Sequence, residues 1–190
     1  MTNDIPQTMP AVVLTGHGGM DKLEFHHDWP VPVPESDEVL IRVAACGLNN
    51  TDVNTRSAWY YKGNSDATTG DALAGAEEED GTWGGAAISF PRIQGADAVG
   101  TIVRVGKAVE QSLLGKRVMI DGWLRDWDDP LNQSKAGYFG SECDGGYAQY
   151  TKVSHRQVHP VKSALSDAEL ATFACSYVCL LYTSPSPRDR

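Results

Sequence analysis

The chain has 190 residues, 41% of them apolar and 22% charged, with 25 acids against 16 bases. That length suffices for one good core and part of a second, and the composition is that of an ordinary globular protein. A formal charge of −9 without a basic stripe argues against a nucleic-acid partner. No apolar run approaches a membrane span, and the N-terminus lacks the basic start and apolar core of a signal peptide, so no membrane partner and a cytoplasmic location are expected. Cys46, Cys143, Cys175 and Cys179 form no small-protein disulfide framework and fit reduced thiols.

In chain order, Ala11–Thr15 reads as a strand and Gly16–Gly19 as its turn. Leu23–Phe25 reads as a second short strand. The prolines at 30, 32 and 34 force an extended link. Val39–Val43 alternates as a strand and runs into Cys46-Gly47, where a sharp turn is followed by Asn49, Asn50, Thr51 and Asp52. These four residues read either as turn formers and a helix N-cap or as polar groups facing a ligand. Residues 56–62 should finish a short helix.

Residues 63–87 carry six acids and no Lys or Arg, so the rest of the chain is close to neutral. The stretch is too poor in apolar side chains to pack as a core element and reads as a surface insertion, either a solvated loop or a lid. The run Gly95-Ala96-Asp97-Ala98-Val99-Gly100 carries glycines that permit close backbone approach where strands cross. Trp123, Trp127, Tyr138 and Phe139 anchor a loop over 121–141. Tyr147–Lys152 alternates as a strand, and another short strand ends at His159-Pro160. Ser166 and Glu169 form a capping box that starts a helix with Leu170, Phe173 and Tyr177 on one face.

Three of these segments together resemble the medium-chain dehydrogenase/reductase superfamily, which includes zinc-type alcohol dehydrogenases and quinone oxidoreductases. They are the turn after Cys46, the run at Gly95 and Cys143-Asp144-Gly145-Gly146-Tyr147-Ala148-Gln149-Tyr150. The resemblance implies a mostly β fold with short helices, a GroES-like β-barrel over 9–165 with 63–87 inserted. It also implies the start of a helix at 166–177 that leads to an α/β Rossmann domain expected in the parent protein. No Gly-x-Gly-x-x-Gly phosphate turn follows a strand anywhere in the chain, so that domain is expected to be missing here. Residues 178–190 read as a non-native read-through tail.

Zinc-dependent members of the superfamily bind metal through a Cys and a His. Here Asn49 and Ala96 stand in those places, with Asn50 where a His or Arg would be, and the cysteines of the structural zinc lobe are missing. The resemblance therefore implies a zinc-independent oxidoreductase moving a hydride from NADP(H) or NAD(H) to a carbonyl, quinone or enone. On that reading Thr51 and Asn49 are catalytic, and Asn49, Asn50, Thr51 and Asp52 face the cofactor. Tyr60 faces the substrate, and Asp52 also caps the following helix and braces the loop. The cofactor would be held mainly by the missing domain, leaving the fragment alone inactive, and the full-length protein could be a homodimer. One alternative is a metal-dependent dehydrogenase with ligands drawn from Cys46, Asp97, Cys175 and a histidine. Another is a non-catalytic β-barrel binding module.

Overall fold

The computed structural model describes residues 5–60, 88–129 and 131–177. The insertion at 63–87, the tail at 178–190 and Cys179 lie outside the described residues. The elements in order are β1 (Thr8–Leu14), β2 (Leu23–Pro30), β3 (Glu38–Gly47), α1 (Asn50–Arg56), β4 (Arg92–Ile93), β5 (Asp97–Val105) and β6 (Arg117–Ile120). They continue with β7 (Trp123–Leu124), β8 (Gly137–Tyr138), β9 (Tyr150–Ser154), β10 (Val158–Pro160) and α2 (Asp167–Leu170).

Two antiparallel sheets, in the orders β2-β1-β4 and β10-β6-β5-β3-β9, make the barrel, and β7-β8 forms a small ribbon beside it. Val39, Leu40 and Ile41 of β3 are all fully buried because the strand is covered on both faces. Val39 and Ile41 pack with Ile102, Val118, Ile120, Phe139 and Val153. Leu40 packs with Met9, Ala11, Val13, Ile93 and Tyr150. Burial of these β-branched and aliphatic side chains contributes roughly 1.5–3 kcal/mol apiece, so β3 is the spine that fixes where its C-terminal turn sits.

Several elements differ from the sequence expectation. The second strand runs on to Pro30, because β1 pairs with its whole length across a bulge between Met9 and Ala11. The helix after the turn stops at Arg56, with Ser57 as C-cap and buried Ala58 at a φ of 55°, a left-handed conformation that ends a helix. The run from Tyr147 becomes regular strand only at Tyr150; before it, Ala148 makes a single bridge to Ala11. Tyr150 and Thr151 are both buried, so the strand does not alternate between core and water. The Ser166–Glu169 capping box is formed as expected, but α2 is one turn long. Leu170 and Ala171 pack on Val99, whereas Phe173 and an exposed Tyr177 lie against each other at 4.7 Å. In the 121–141 loop Phe139 is fully buried in the barrel core and Trp123 meets Tyr138 edge-on at 5.4 Å. Half-buried Trp127 lies against Arg125 and Arg156, so Phe139 is the side chain that anchors the loop to the core.

Candidate functional site

The site is built where β3 ends, β5 begins and the chain leaves α2. Gly47 is required there, since a Cβ on it would lie 2.6 Å from the Ala171 carbonyl. Gly95 has a φ of +101° and lies so close to the Tyr147 ring that a Cβ would reach 2.6 Å from it. These two glycines let three segments close on one another, and the polar groups of the turn become shared between them.

Asn49 is the N-cap of α1 and forms a capping box with Asp52. Its Oδ1 accepts from the Thr51 N–H at 3.0 Å and from the Thr51 hydroxyl at 3.1 Å. Its Nδ2 donates to Asp97 at 3.2 Å and to the Ser176 hydroxyl at 3.4 Å. Both lone pairs and both protons of the amide are therefore used. The orientation of the amide is fixed because only its oxygen can face the Thr51 N–H. The buried Asp97 also accepts from the Cys175 N–H, so one carboxylate ties the turn, β5 and the segment after α2 together.

Asp52 is a second hub. It accepts from the Asn49 N–H at 3.0 Å, the Gly95 N–H at 3.1 Å and the Tyr147 hydroxyl at 2.6 Å, while its carbonyl takes the Gln94 amide at 2.9 Å. Burial pushes both carboxyls above the ordinary aspartate value. The hydrogen bonds from Tyr147, Asn49 and Gly95 oppose this at Asp52, and those from Cys175 and Asn49 oppose it at Asp97. Burial, helped by the two carboxylates, raises the Cys46 thiol strongly. Burial also raises Cys175, against a hydrogen bond from Tyr138. Both thiols are neutral at physiological pH.

The structure thus brings Asn49, Thr51, Asp52, Asp97 and Cys175 together, with Thr51 Oγ1 4.0 Å from the Cys175 sulfur. Asn50 is exposed at the first position of α1. Tyr60 follows the helix, its hydroxyl accepting from Asn54 at 3.4 Å and its ring 5.3 Å from Trp59. Tyr147, Gln94 and Ser176 belong to the network and were not singled out from the sequence. Tyr147 stood in plain sight in the Gly-Gly-Tyr-Ala run, but its phenol gave no sign of reaching Asp52 across 95 residues. Among the described residues, no three His, Cys, Asp or Glu side chains gather so as to hold a metal ion. Ala96 offers a methyl group and the Asn49 amide is saturated, so this donor set does not fit zinc.

A family model described as the alcohol dehydrogenase GroES-like domain matches residues 35–163. The chain belongs to this family. It is thereby a member of the medium-chain dehydrogenase/reductase superfamily, with homologues that are alcohol dehydrogenases and oxidoreductases. The GroES-like chain is 30% identical over 178 residues to the "Probable alcohol dehydrogenase AdhA" of Mycobacterium tuberculosis, covering 84% of itself and 44% of that protein. It is 28% identical over 152 residues to an NADPH-dependent alkenal/one oxidoreductase of Arabidopsis thaliana, covering 80% of itself and 31% of that protein. A solved alcohol dehydrogenase-type structure from Sinorhizobium meliloti 1021 is 42% identical and superposes with a TM-score of 0.75, over 92% of this chain and 46% of that one. The GroES-like chain spans less than half the length of these curated relatives.

Proposed function

We propose that the protein is a zinc-independent, NAD(P)H-dependent oxidoreductase that reduces a conjugated carbonyl compound, an enone or a quinone, and that this chain is its catalytic GroES-like domain, residues 9–165. The observation that carries the reading is the state of Asn49. In the place of a metal-binding thiolate stands an amide with all four hydrogen-bonding positions satisfied inside the protein. An acceptor that must be reduced without a Lewis acid is best one whose developing charge is delocalised, which favours conjugated carbonyls over simple ones. The alkenal/one oxidoreductase of Arabidopsis thaliana, named as NADPH-dependent, supports the same substrate class.

The residues at the turn fit a nicotinamide nucleotide. Having donated to Asn49, the Thr51 hydroxyl keeps acceptor capacity that suits a ribose or substrate hydroxyl, and exposed Asn50 lies beside it at the helix start. When bound, the reduced nicotinamide supplies the hydride. Thr51 is then the residue that touches the ligand, with Asn49, Asp52 and Asp97 holding it in place; Tyr60 would line the substrate side. No helix of the described residues is long and apolar enough to cross a membrane, and a small-molecule partner, a homodimer and a cytoplasmic setting complete the reading.

The test compares wild type, Thr51→Ser and Thr51→Val in the full-length protein for NADPH-dependent reduction of an enone. Thr51→Ser should stay within about fivefold of wild type, and Thr51→Val should lose about 100-fold in kcat/KM. Equal activity of Thr51→Val and wild type would overturn the assignment.

A further inference from the structure

A cavity of about 400 Å³ runs along the whole of β9. It shares no lining residue with the network around Asn49. All five consecutive residues of β9, Tyr150 to Ser154, line it. A cavity bounded by one face of a strand would touch every second residue; contact with every residue means that it follows the strand's edge.

That edge has no partner strand among the described residues, because β9 is the last strand of its sheet. Val43 N–H donates to the Gln149 carbonyl and His155 N–H to the Asp37 carbonyl. With Ile41 opposite Thr151 and Val39 opposite Val153, the alternation of an antiparallel ladder gives the odd-numbered residues of this strand to β3. The N–H and C=O groups of Tyr150 and Lys152 and the N–H of Ser154 are thereby turned outward, while the Ser154 carbonyl begins the tight helical turn over His155–Gln157. Tyr150 N–H ends on the Met9 sulfur at 3.3 Å, a weak acceptor. Just before this point β1 still bonds to the chain, through Gln149 N–H to the Pro10 carbonyl and Val12 N–H to the Tyr147 carbonyl. Beyond Tyr150 the barrel seam opens.

Two further polar groups on the lining residues are buried without partners, the Arg92 Nε–H and the Thr151 hydroxyl. Thr151 is only 2% exposed. Buried polar groups without partners are rare in a finished structure, and here they accompany a strand edge with free donors and acceptors. Met9, Trp29 and Ile93 give the cavity apolar walls. Its charged side chains are Asp37, Glu38, Glu142 and Asp144 against Arg92 and Lys152. Arg92 pairs with Asp144 at 3.0 Å and Lys152 with Glu38 at 2.8 Å, so four carboxylates stand against two bases and the lining is acidic on balance.

We infer that this seam is a strand-addition site, where an extended peptide with apolar residues between basic ones, supplied by another polypeptide, pairs with the outer edge of β9. Main-chain hydrogen bonds to Lys152 and Ser154 provide the affinity, the apolar walls take alternate side chains, and the acidic rim selects basic flanks.

The test uses the isotope-labelled chain and the blocked peptide acetyl-Arg-Val-Thr-Val-Arg-amide. The amide signals of Lys152 and Ser154 should shift on titration, and their hydrogen exchange should slow. Lys152→Pro removes the outward N–H while leaving the bonds of Thr151 and Val153 to β3, and it should weaken binding by about fivefold or more. Lys152→Met loses the ion pair but keeps the N–H and should bind within about twofold of wild type. Signals at β9 that do not move, equal binding by the acidic counterpart acetyl-Glu-Val-Thr-Val-Glu-amide, or a Lys152→Pro chain that folds and binds as tightly as Lys152→Met would each overturn the proposal.

Discussion

Asn49 ties three parts of the chain together. Its amide links the turn, β5 and the segment after α2 through hydrogen bonds to Thr51, Asp97 and Ser176. Asn49→Ala should therefore cost about 1–3 kcal/mol, since it removes a helix cap and leaves the buried Asp97 short of a donor; denaturant unfolding of the two chains checks this. Asp52 adds a pH dependence. Burial raises its carboxyl in the folded state, so its contribution is fully present below the unfolded value of 3.8 and is lost as pH rises through the folded value. The stability of wild type relative to Asp52→Asn should accordingly be greatest in acid and decline toward neutrality. A relative stability that rises with pH over that window would contradict the burial argument. That the turn caps a helix was legible from residue types, but the cap is Asn49, with Asp52 answering it from the third helical position rather than capping the helix itself. The links from Asp52 to Tyr147 and from Asp97 to Cys175 were not, because they span 95 and 78 residues and nothing local encodes them.

At the scale of elements, β1 was legible as a run of β-branched and aliphatic residues from Ala11 to Leu14. β9 was read three residues early, because the polar and aromatic alternation from Tyr147 does not match its burial, Tyr150 and Thr151 both being buried. The end of α1 was missed because a buried, left-handed Ala58 stops it, and alanine carries no such signal. In the lobe at 121–141 a hub of hydrogen bonds holds the loop together. Asp126 accepts from the Asp128 N–H, Asn132 and Lys135, and the lysine with these donors holds its carboxyl down at about 2. A group with a lowered folded value contributes above 3.8 and loses that contribution as pH falls toward 2. Amide protection factors in this lobe should fall over that window, while those of an Asp126→Asn chain should not. α2 depends on Arg117, which donates to Asp167 at 2.7 Å and to the carbonyls of Ser163 and Leu165. Arg117→Ala should loosen α2 by about 1 kcal/mol, visible as faster exchange of the Leu170 and Ala171 amides.

At the scale of the whole molecule, the barrel fixes the position of the turn at the end of β3. Its fold class was legible because three short segments, weak singly, agree on one architecture. The substrate is less legible, because the walls that choose it vary independently of the barrel that carries them. Zinc analysis of purified full-length protein that actively reduces an enone with NADPH tests the account most directly. We expect far less than one zinc per chain, with activity unchanged after chelation. One zinc per chain, with activity lost on its removal and restored on its return, would contradict it.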